Sequence, residues 1–301
     1  MASDRELLVD QAPLSSRPRR PNRRRRRAFD EPSGAGKLGR YALLCIVTFV
    51  VLFPVYTTVV AALKPGDEVL KNPLVPTTVT FDVLVEAWNE GRLGRYLFNS
   101  FVVALIVTVA QLVTSLLAAY AFAFLDFPGK RAIFVLFVAT LLVPLEATLV
   151  VNLDTVDGLG WLNTYQGLAV PFLATAFGIF LLRQVMLTLP RDLRDAARID
   201  GVGHVGFLRH IAVPLLRPTL GALALFGFLG TWNQYLWPTL VVNEADMNTV
   251  QSGLRLLRRS TLTEPNLVMA GTVIAAVPIF VALLVFQRQL VRGLTAGAVK
   301  G

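Results

Sequence analysis

Residues 190–214 begin Pro190-Arg191-Asp192-Leu193-Arg194-Asp195-Ala196-Ala197-Arg198-Ile199-Asp200-Gly201 and continue from Val202 to Pro214, a polar stretch between two long apolar ones. Pro190 suits a first helical turn, Ala196 and Ala197 are strong helix formers, and Gly201 fits the left-handed position that ends a helix. The pattern predicts one short helix up to Gly201 and a second over 204–212, closed by Pro214. The first helix offers small side chains at Ala196 and Ala197 beside Asp195, Arg198 and Asp200. Such a surface lets another protein approach closely and supplies charges for pairing. A merely solvated loop has little use for two adjacent alanines followed by Gly and Pro punctuation.

On either side of this loop the chain is dominated by apolar residues. Of its 301 residues 54% are hydrophobic and only 16% are charged, against about a quarter charged in soluble domains. A bilayer core about 30 Å thick needs roughly 20 mostly apolar residues per helix, because in lipid each backbone group must find its partner within its own segment. Six stretches reach that length, near 41–63, 96–125, 132–151, 166–188, 218–242 and 266–287. The predicted fold is therefore an all-α integral membrane protein of six transmembrane helices, with the polar loop, 189–217, between helices 4 and 5. The stretch 41–63 has full spanning length, unlike the short apolar region of a cleaved signal peptide. It contains the one cysteine, Cys45, which leaves no disulfide framework and no metal-ligand cluster to read.

With six spans, 21 of the 29 Lys and Arg fall on the side that holds both termini and the 189–217 loop, and seven on the other. The positive-inside rule then places both termini in the cytoplasm. Arg255, Arg258 and Arg259 face outward in this scheme, either as solvated charges or as a surface for an acidic partner or an anionic solute. Residues 1–36 carry Arg17, Arg19, Arg20 and the run Arg23 to Arg27 among prolines, a composition that cannot bury a core and predicts a disordered basic tail. Attraction to the anionic inner leaflet accounts for such a tail. Nucleic-acid binding is not expected, because the arginines are neither interleaved with aromatics nor part of a folded basic module.

No catalytic constellation is visible, so the chain does not read as an enzyme. Gly34-Ala35-Gly36-Lys37 lacks the Ser or Thr and the first Gly of a phosphate-binding loop, since Leu38 and Glu31 stand there. His204 and His210 are not in a metal-binding spacing, and neither metal nor cofactor is expected. Energy for uphill transport must then come from a partner or an ion gradient. Ionisable groups inside the spans are costly and mark functional candidates. Glu146 and Arg183 either line a solute path, or respectively pair locally at the outer edge and snorkel to the inner headgroups. Trp232, Asn233, Gln234, Tyr235 and Trp237 interrupt the fifth span. They offer hydrogen bonds and ring faces to a sugar, or equally an interfacial aromatic belt with interhelical amide bonds.

The spacing Asp195-Ala196-Ala197, three residues, Gly201, nine residues, Ile211-Ala212-Val213-Pro214 resembles the signature loop of ABC importer permeases. The likeness extends over residues 37–301, the expected permease domain, and is nearest to permeases of the maltose type that import carbohydrates. It is carried by Ala62-Leu63-Lys64-Pro65, Asn99-Ser100-Phe101, Ala119-Tyr120-Ala121-Phe122-Ala123, Leu159-Gly160-Trp161-Leu162-Asn163-Thr164 and the terminal Gly297-Ala298-Val299-Lys300-Gly301. Val143-Pro144-Leu145-Glu146, Phe180-Leu181-Leu182-Arg183-Gln184 and Trp232-Asn233-Gln234-Tyr235-Leu236-Trp237-Pro238 resemble the glycerol-3-phosphate branch in particular.

The resemblance implies a coupling helix that seats in a cytoplasmic ATP-binding subunit, with Asp195, Ala196, Ala197, Arg198, Asp200, Gly201, Phe207, Ile211 and Pro214 as the coupling residues. It further implies a second permease subunit, an extracytoplasmic solute-binding protein and a place in the bacterial cell membrane. Asp195 stands where the family usually has Glu, and Val213 where Leu is common. A secondary carrier is the alternative class, but it would show paired repeats with broken helices and has no need of this loop. A membrane-embedded enzyme is a further alternative, without a nucleophile and base to support it.

Overall fold

The computed structural model describes residues 34–72, 74–75, 78–260 and 265–295. The arginine-rich tail through residue 33, the terminal motif from Gly297 and the side chains of Arg258 and Arg259 lie outside the described residues. The chain divides into two compact units, Met1–Pro54 and Val55–Gly301. The described part of the first is the leading portion of helix α1 (Gly34–Ala62), so residues 34–36, assigned to the tail on composition, already form a helical turn. The rings of Phe49 and Phe53, one turn apart there, pack in a tilted arrangement with centroids 5.9 Å apart.

The second unit is all-helical among its described residues. After the short α2 (Gly66–Lys71) and α3 (Asp82–Glu90) comes the long α4 (Leu93–Phe124). Then follow α5 (Lys130–Ala139), α6 (Leu145–Gly158), α7 (Tyr165–Ala169) and α8 (Ala176–Met186). The loop between spans supplies α9 (Arg191–Ile199) and α10 (His204–Phe207), which lead into α11 (Val213–Trp232). Three more helices complete the unit, α12 (Leu236–Val241), α13 (Val250–Ser260) and α14 (Pro265–Thr295). Among the described residues four helices are long and apolar enough to cross a membrane, or up to six if each of two bent pairs counts as one span.

Each departure from straight spans has a local cause. Residues 132–151, expected as one span, are two helices at 101°. Pro144 forces the residue before it out of the helical region, and Val143 accordingly sits at φ −82, ψ 116. Residues 165–172 and 176–186 meet at 44° just after Pro171. The fifth span differs at both ends. Helix α10 does not stop at Pro214 but runs through a π turn, Leu208–Ala212, directly into α11. A wider turn frees the carbonyl that the proline ring would otherwise strike, so Pro214 is absorbed instead of ending the helix. At the far end the helix stops at Trp232 and resumes only at Leu236.

Helix α4 is the spine of this unit. It packs against α8 and α11, and α11 packs against α14. In lipid there is no water to squeeze out between helices, so close packing of small residues holds such a bundle together. Gly178 of α8 lies against Ser115 of α4, and Gly227 of α11 against Gln111. A Cβ added at Gly227 would come within 2.9 Å of the Gln111 oxygen. Three buried clusters lie along α4: Leu93, Tyr96 and Ala104 with Trp232 and Leu267; Val103 and Val107 with Leu168; Ala119 and Tyr120 with Leu182, Met186 and Phe207.

Candidate functional site

The polar loop folds as its sequence predicts at its first helix. Helix α9 ends at Ile199 with Asp200 as its cap, and Gly201 adopts φ +73, the left-handed conformation that glycine takes at little cost. Its amide continues the turn by donating to Arg198 O at 3.1 Å. Asp195, Ala196, Arg198, Asp200 and Gly201 are exposed. Ala197 is not: it is buried against Met186, Phe207 and Leu208. Phe207 is buried too, and Ile211 and Pro214 are half-buried in the helix that follows. The nine predicted coupling residues therefore separate into an outward face and an inward one that seats the loop on its own bundle.

Two apolar residues of the outward face escaped the sequence reading. Ile199 is 87% exposed and Val205 78%, amid Asp195, Arg198 and Asp200. Their signal was present as isolated branched apolar residues in a polar loop. Apolar side chains surrounded by charge are the usual make-up of a protein-binding patch.

The loop is fixed to the C-terminal end of α4. The last carbonyls of a helix lack intrahelical partners and carry partial negative charge, so cations collect there. Arg183 Nε donates to Phe122 O at 3.3 Å, Arg194 Nη1 to Phe124 O at 3.4 Å, and Lys130 Nζ to Leu125 O at 2.6 Å. Arg194 also lies over the Phe124 ring, 5.7 Å from its centroid. Beside it the Tyr120 hydroxyl and His204 Nδ1 share a hydrogen bond at 2.7 Å, their rings edge to face. An 80 Å³ cavity lined by Tyr120, Arg194, Ala197 and His204, among others, remains between loop and helix. Tyr120, Arg194 and His204 were not predicted as site residues. Two histidines without metal spacing carry no motif, and only the tertiary fold brings residue 204 to residue 120.

The six candidate path residues also divide. Trp232 is 1% exposed, stacks on Phe228 and donates to Ala275 O at 3.3 Å. Asn233 donates to Leu229 O at 2.9 Å and accepts from Gln251 at 3.4 Å. Arg183, besides its bond to Phe122 O, stands 4.1 Å over the Phe134 ring. These three are satisfied internally. Glu146, Gln234 and Tyr235 instead line one 260 Å³ cavity with Leu145, Leu149, Leu236 and Trp237. It opens where the break between α5 and α6 meets the break between α11 and α12. A second cavity of 300 Å³ shares Leu145 and Gln234 with the first and adds Gln111, Thr175 and Thr231. Among the described residues no hydrogen bond or ion pair engages the side chains of Glu146 or Gln234 or the Tyr235 hydroxyl.

Residues 98–296 match the family described as "Binding-protein-dependent transport system inner membrane component". The sn-glycerol-3-phosphate transport system permease protein UgpE of Rhizobium meliloti (strain 1021) is 38% identical over 265 residues, 84% of this chain and 94% of that protein. The arabinooligosaccharides transport system permease protein AraQ of Bacillus subtilis (strain 168) is 34% identical over 261 residues, 85% of this chain and 93% of that protein. Among solved structures, a chain from "a bacterial ABC transporter involved in the import of the acidic polysaccharide alginate" superposes with a TM-score of 0.74 at 20% identity, covering 92% of this chain and 99% of that one. That last likeness speaks for the fold.

Proposed function

Because the chain belongs to the family of binding-protein-dependent transport system inner membrane components, we propose that it is one of two permease subunits of an ABC importer for a sugar, a polyol or a sugar phosphate such as glycerol 3-phosphate. It is a multi-pass membrane protein and a transport permease by family. Both termini and α9 lie in the cytoplasm, a reading supported by the excess of Lys and Arg on that side. A cytoplasmic ATPase pair, a second permease and an external solute-binding protein complete the assembly.

The observation that carries this reading is α9: a short helix closed by a left-handed glycine, anchored inward by Ala197 and presenting Asp195, Ala196, Arg198 and Ile199 outward. ATP binding draws the two ATPase subunits together. A rigid loop seated in one of them moves with it, and because the same loop is tied to the C-terminal carbonyls of α4 and continues into α11, the motion passes to both spans. The cavity between the permeases then opens toward the binding protein, and hydrolysis resets it.

The test is at the cap. Nothing lies within 4 Å of a Cβ at Gly201, so Gly201→Val meets no clash. Its cost is the positive φ, about 1–2 kcal/mol for an L-residue, enough to shift the helix axis. In the complete reconstituted importer, Gly201→Val and Asp195→Lys should each cut transport more than about tenfold, an effect of about 1.4 kcal/mol, while the loaded binding protein no longer stimulates ATP hydrolysis. Wild-type rates in both variants would remove the loop from the coupling path.

A further inference from the structure

We propose that the cavity between the polar loop and the C-terminal end of α4 binds a phosphate group, carried by a lipid headgroup or free as inorganic phosphate, and that its occupant braces the loop against the helix. The cavity shares no residue with the two cavities of the candidate solute path. Four polar side chains line it: Tyr120 from α4, Arg194 and Arg198 from α9, and His204 from the start of α10. Its other lining residues are apolar or glycine, and among the described residues no carboxylate lines it. Its volume of 80 Å³ is several times the roughly 10–15 Å³ that one water needs. A compact tetrahedral anion therefore fits.

Both arginines have donors to spare. A guanidinium presents its N–H groups in a planar fork, and from that of Arg194 only Nη1 donates within the described residues, to Phe124 O at a long 3.4 Å. Arg194 Nε is buried without a hydrogen-bond partner, and Asp195 Oδ1, at 4.0 Å, is too far to accept from it. A buried donor is costly to leave unserved and is usually met by protein, water or an ion. Among the described residues no hydrogen bond or ion pair engages the Arg198 side chain. Two guanidinium forks take phosphate oxygens in bidentate pairs. The Tyr120 hydroxyl and the His204 ring, hydrogen-bonded to each other at 2.7 Å, add two more polar groups to the same wall. With α9 on the cytoplasmic side, as the importer reading has it, the site lies where basic pockets between helices hold lipid phosphates. A ligand that meets α4 through Tyr120 and the loop through Arg194, Arg198 and His204 opposes their separation.

The brace is measurable without knowing the native solute. The reference is the complete importer in maltoside detergent, free of nucleotide and phosphate. Inorganic phosphate is added to one sample at constant ionic strength and phosphatidylglycerol, as mixed micelles, to another, and amide hydrogen exchange is followed by mass. Exchange over residues 191–212 should slow about tenfold in at least one of them, at a ligand concentration about ten times its Kd. Slowing by inorganic phosphate identifies a free anion as a source, and slowing by the lipid alone identifies the headgroup. Arg198→Gln, at an exposed position, should reduce the protection to less than about twofold. Arg194→Lys keeps a cation for Phe124 O but removes the fork, and it should act in the same direction if the residue 198 variant fails to assemble. No slowing in either sample overturns the site. Protection that survives both substitutions does so too, because it would place the phosphate elsewhere, as on the ATPase subunits. Failure of the importer reading would appear separately, in the Gly201→Val measurement.

Discussion

The two ends of α4 are held in opposite ways. At its N-terminal end the helix reaches out: Asn99, fully buried, donates to Asp246 O at 2.8 Å and Asn248 O at 2.9 Å and accepts from the Tyr165 hydroxyl at 2.7 Å. Ser100 Oγ accepts from Val250 N at 2.8 Å, and Arg95 adds a bond to Asp246 O. At its C-terminal end the helix is reached for, by Arg183, Arg194 and Lys130, whose long side chains serve its carbonyls beside an 80 Å³ cavity. Short buried amides fix a geometry, whereas long cationic stems tolerate its change. The first arrangement suits a clamp and the second a joint. An importer subunit that rocks needs one of each, with the joint at the end where α9 meets its motor.

The largest effect that tests this contrast is expected at Asn99. Asn99→Leu keeps the volume and removes three hydrogen bonds, the buried one to Asn248 O and the partly buried ones with Asp246 O and the Tyr165 hydroxyl, at about 1–3 kcal/mol for each group left without a substitute. A net loss near 3 kcal/mol corresponds to an apparent melting temperature lower by about 6–12 °C for a unit of this size, measured on the purified chain in detergent. A shift below about 2 °C would mean that the 246–250 segment is held by packing alone and that the clamp has been misidentified.

How much of this was legible in the sequence differs between the two ends. Asn99 and Ser100 were noticed as a motif, and the left-handed Gly201 was predicted from its place after Ala196 and Ala197 and is found at φ +73. The joint was not legible. Tyr120 and His204 are 84 positions apart, and neither belongs to a spacing that local periodicity can detect. Hydropathy found the apolar stretches but not their direction. Residues 132–151 are equally apolar whether straight or bent by 101°, and Pro144 by itself does not say whether a helix kinks or turns back. The outward face of α9 was half right for a related reason, because alanine is as common inside as outside, and only packing against Phe207 decides that Ala197 faces in.

A smaller effect is expected at Tyr120. Tyr120→Phe removes the 2.7 Å bond to His204 and little else, since the ring still packs on Phe124 and Phe207. One hydrogen bond is worth about 1 kcal/mol, or roughly fivefold in the balance between a seated and an unseated loop. Amide hydrogen exchange is the suitable reading, because it resolves the opening of one segment from that of another. Residues 191–212 should exchange about fivefold faster, with residues 246–257 unchanged. Faster exchange at both ends would show that the clamp depends on the joint, and the contrast between them would fail.

The smallest effect is expected at Arg92, where the clamp meets solvent. Its guanidinium pairs with Asp246 Oδ1 at 2.8 Å, but the two side chains are 60% and 70% exposed, and such pairs contribute about 0–1 kcal/mol. Arg92 is also one of two non-glycine residues with positive φ among the described residues, at +47, a conformation costing about 1–2 kcal/mol in an L-residue. Arg92→Gly relieves that strain and loses the ion pair, while the freer unfolded chain costs about 0.5–1 kcal/mol. The terms nearly cancel, so the melting temperature should move by less than about 4 °C in either direction. Asp246→Asn should be as mild, and the two substitutions together should be no worse than either alone if the pair is their one shared interaction. A fall as large as that of Asn99→Leu would place the clamp in the surface charges instead of the buried amide, and the N-terminal end of α4 would then be held, like its other end, by long charged side chains.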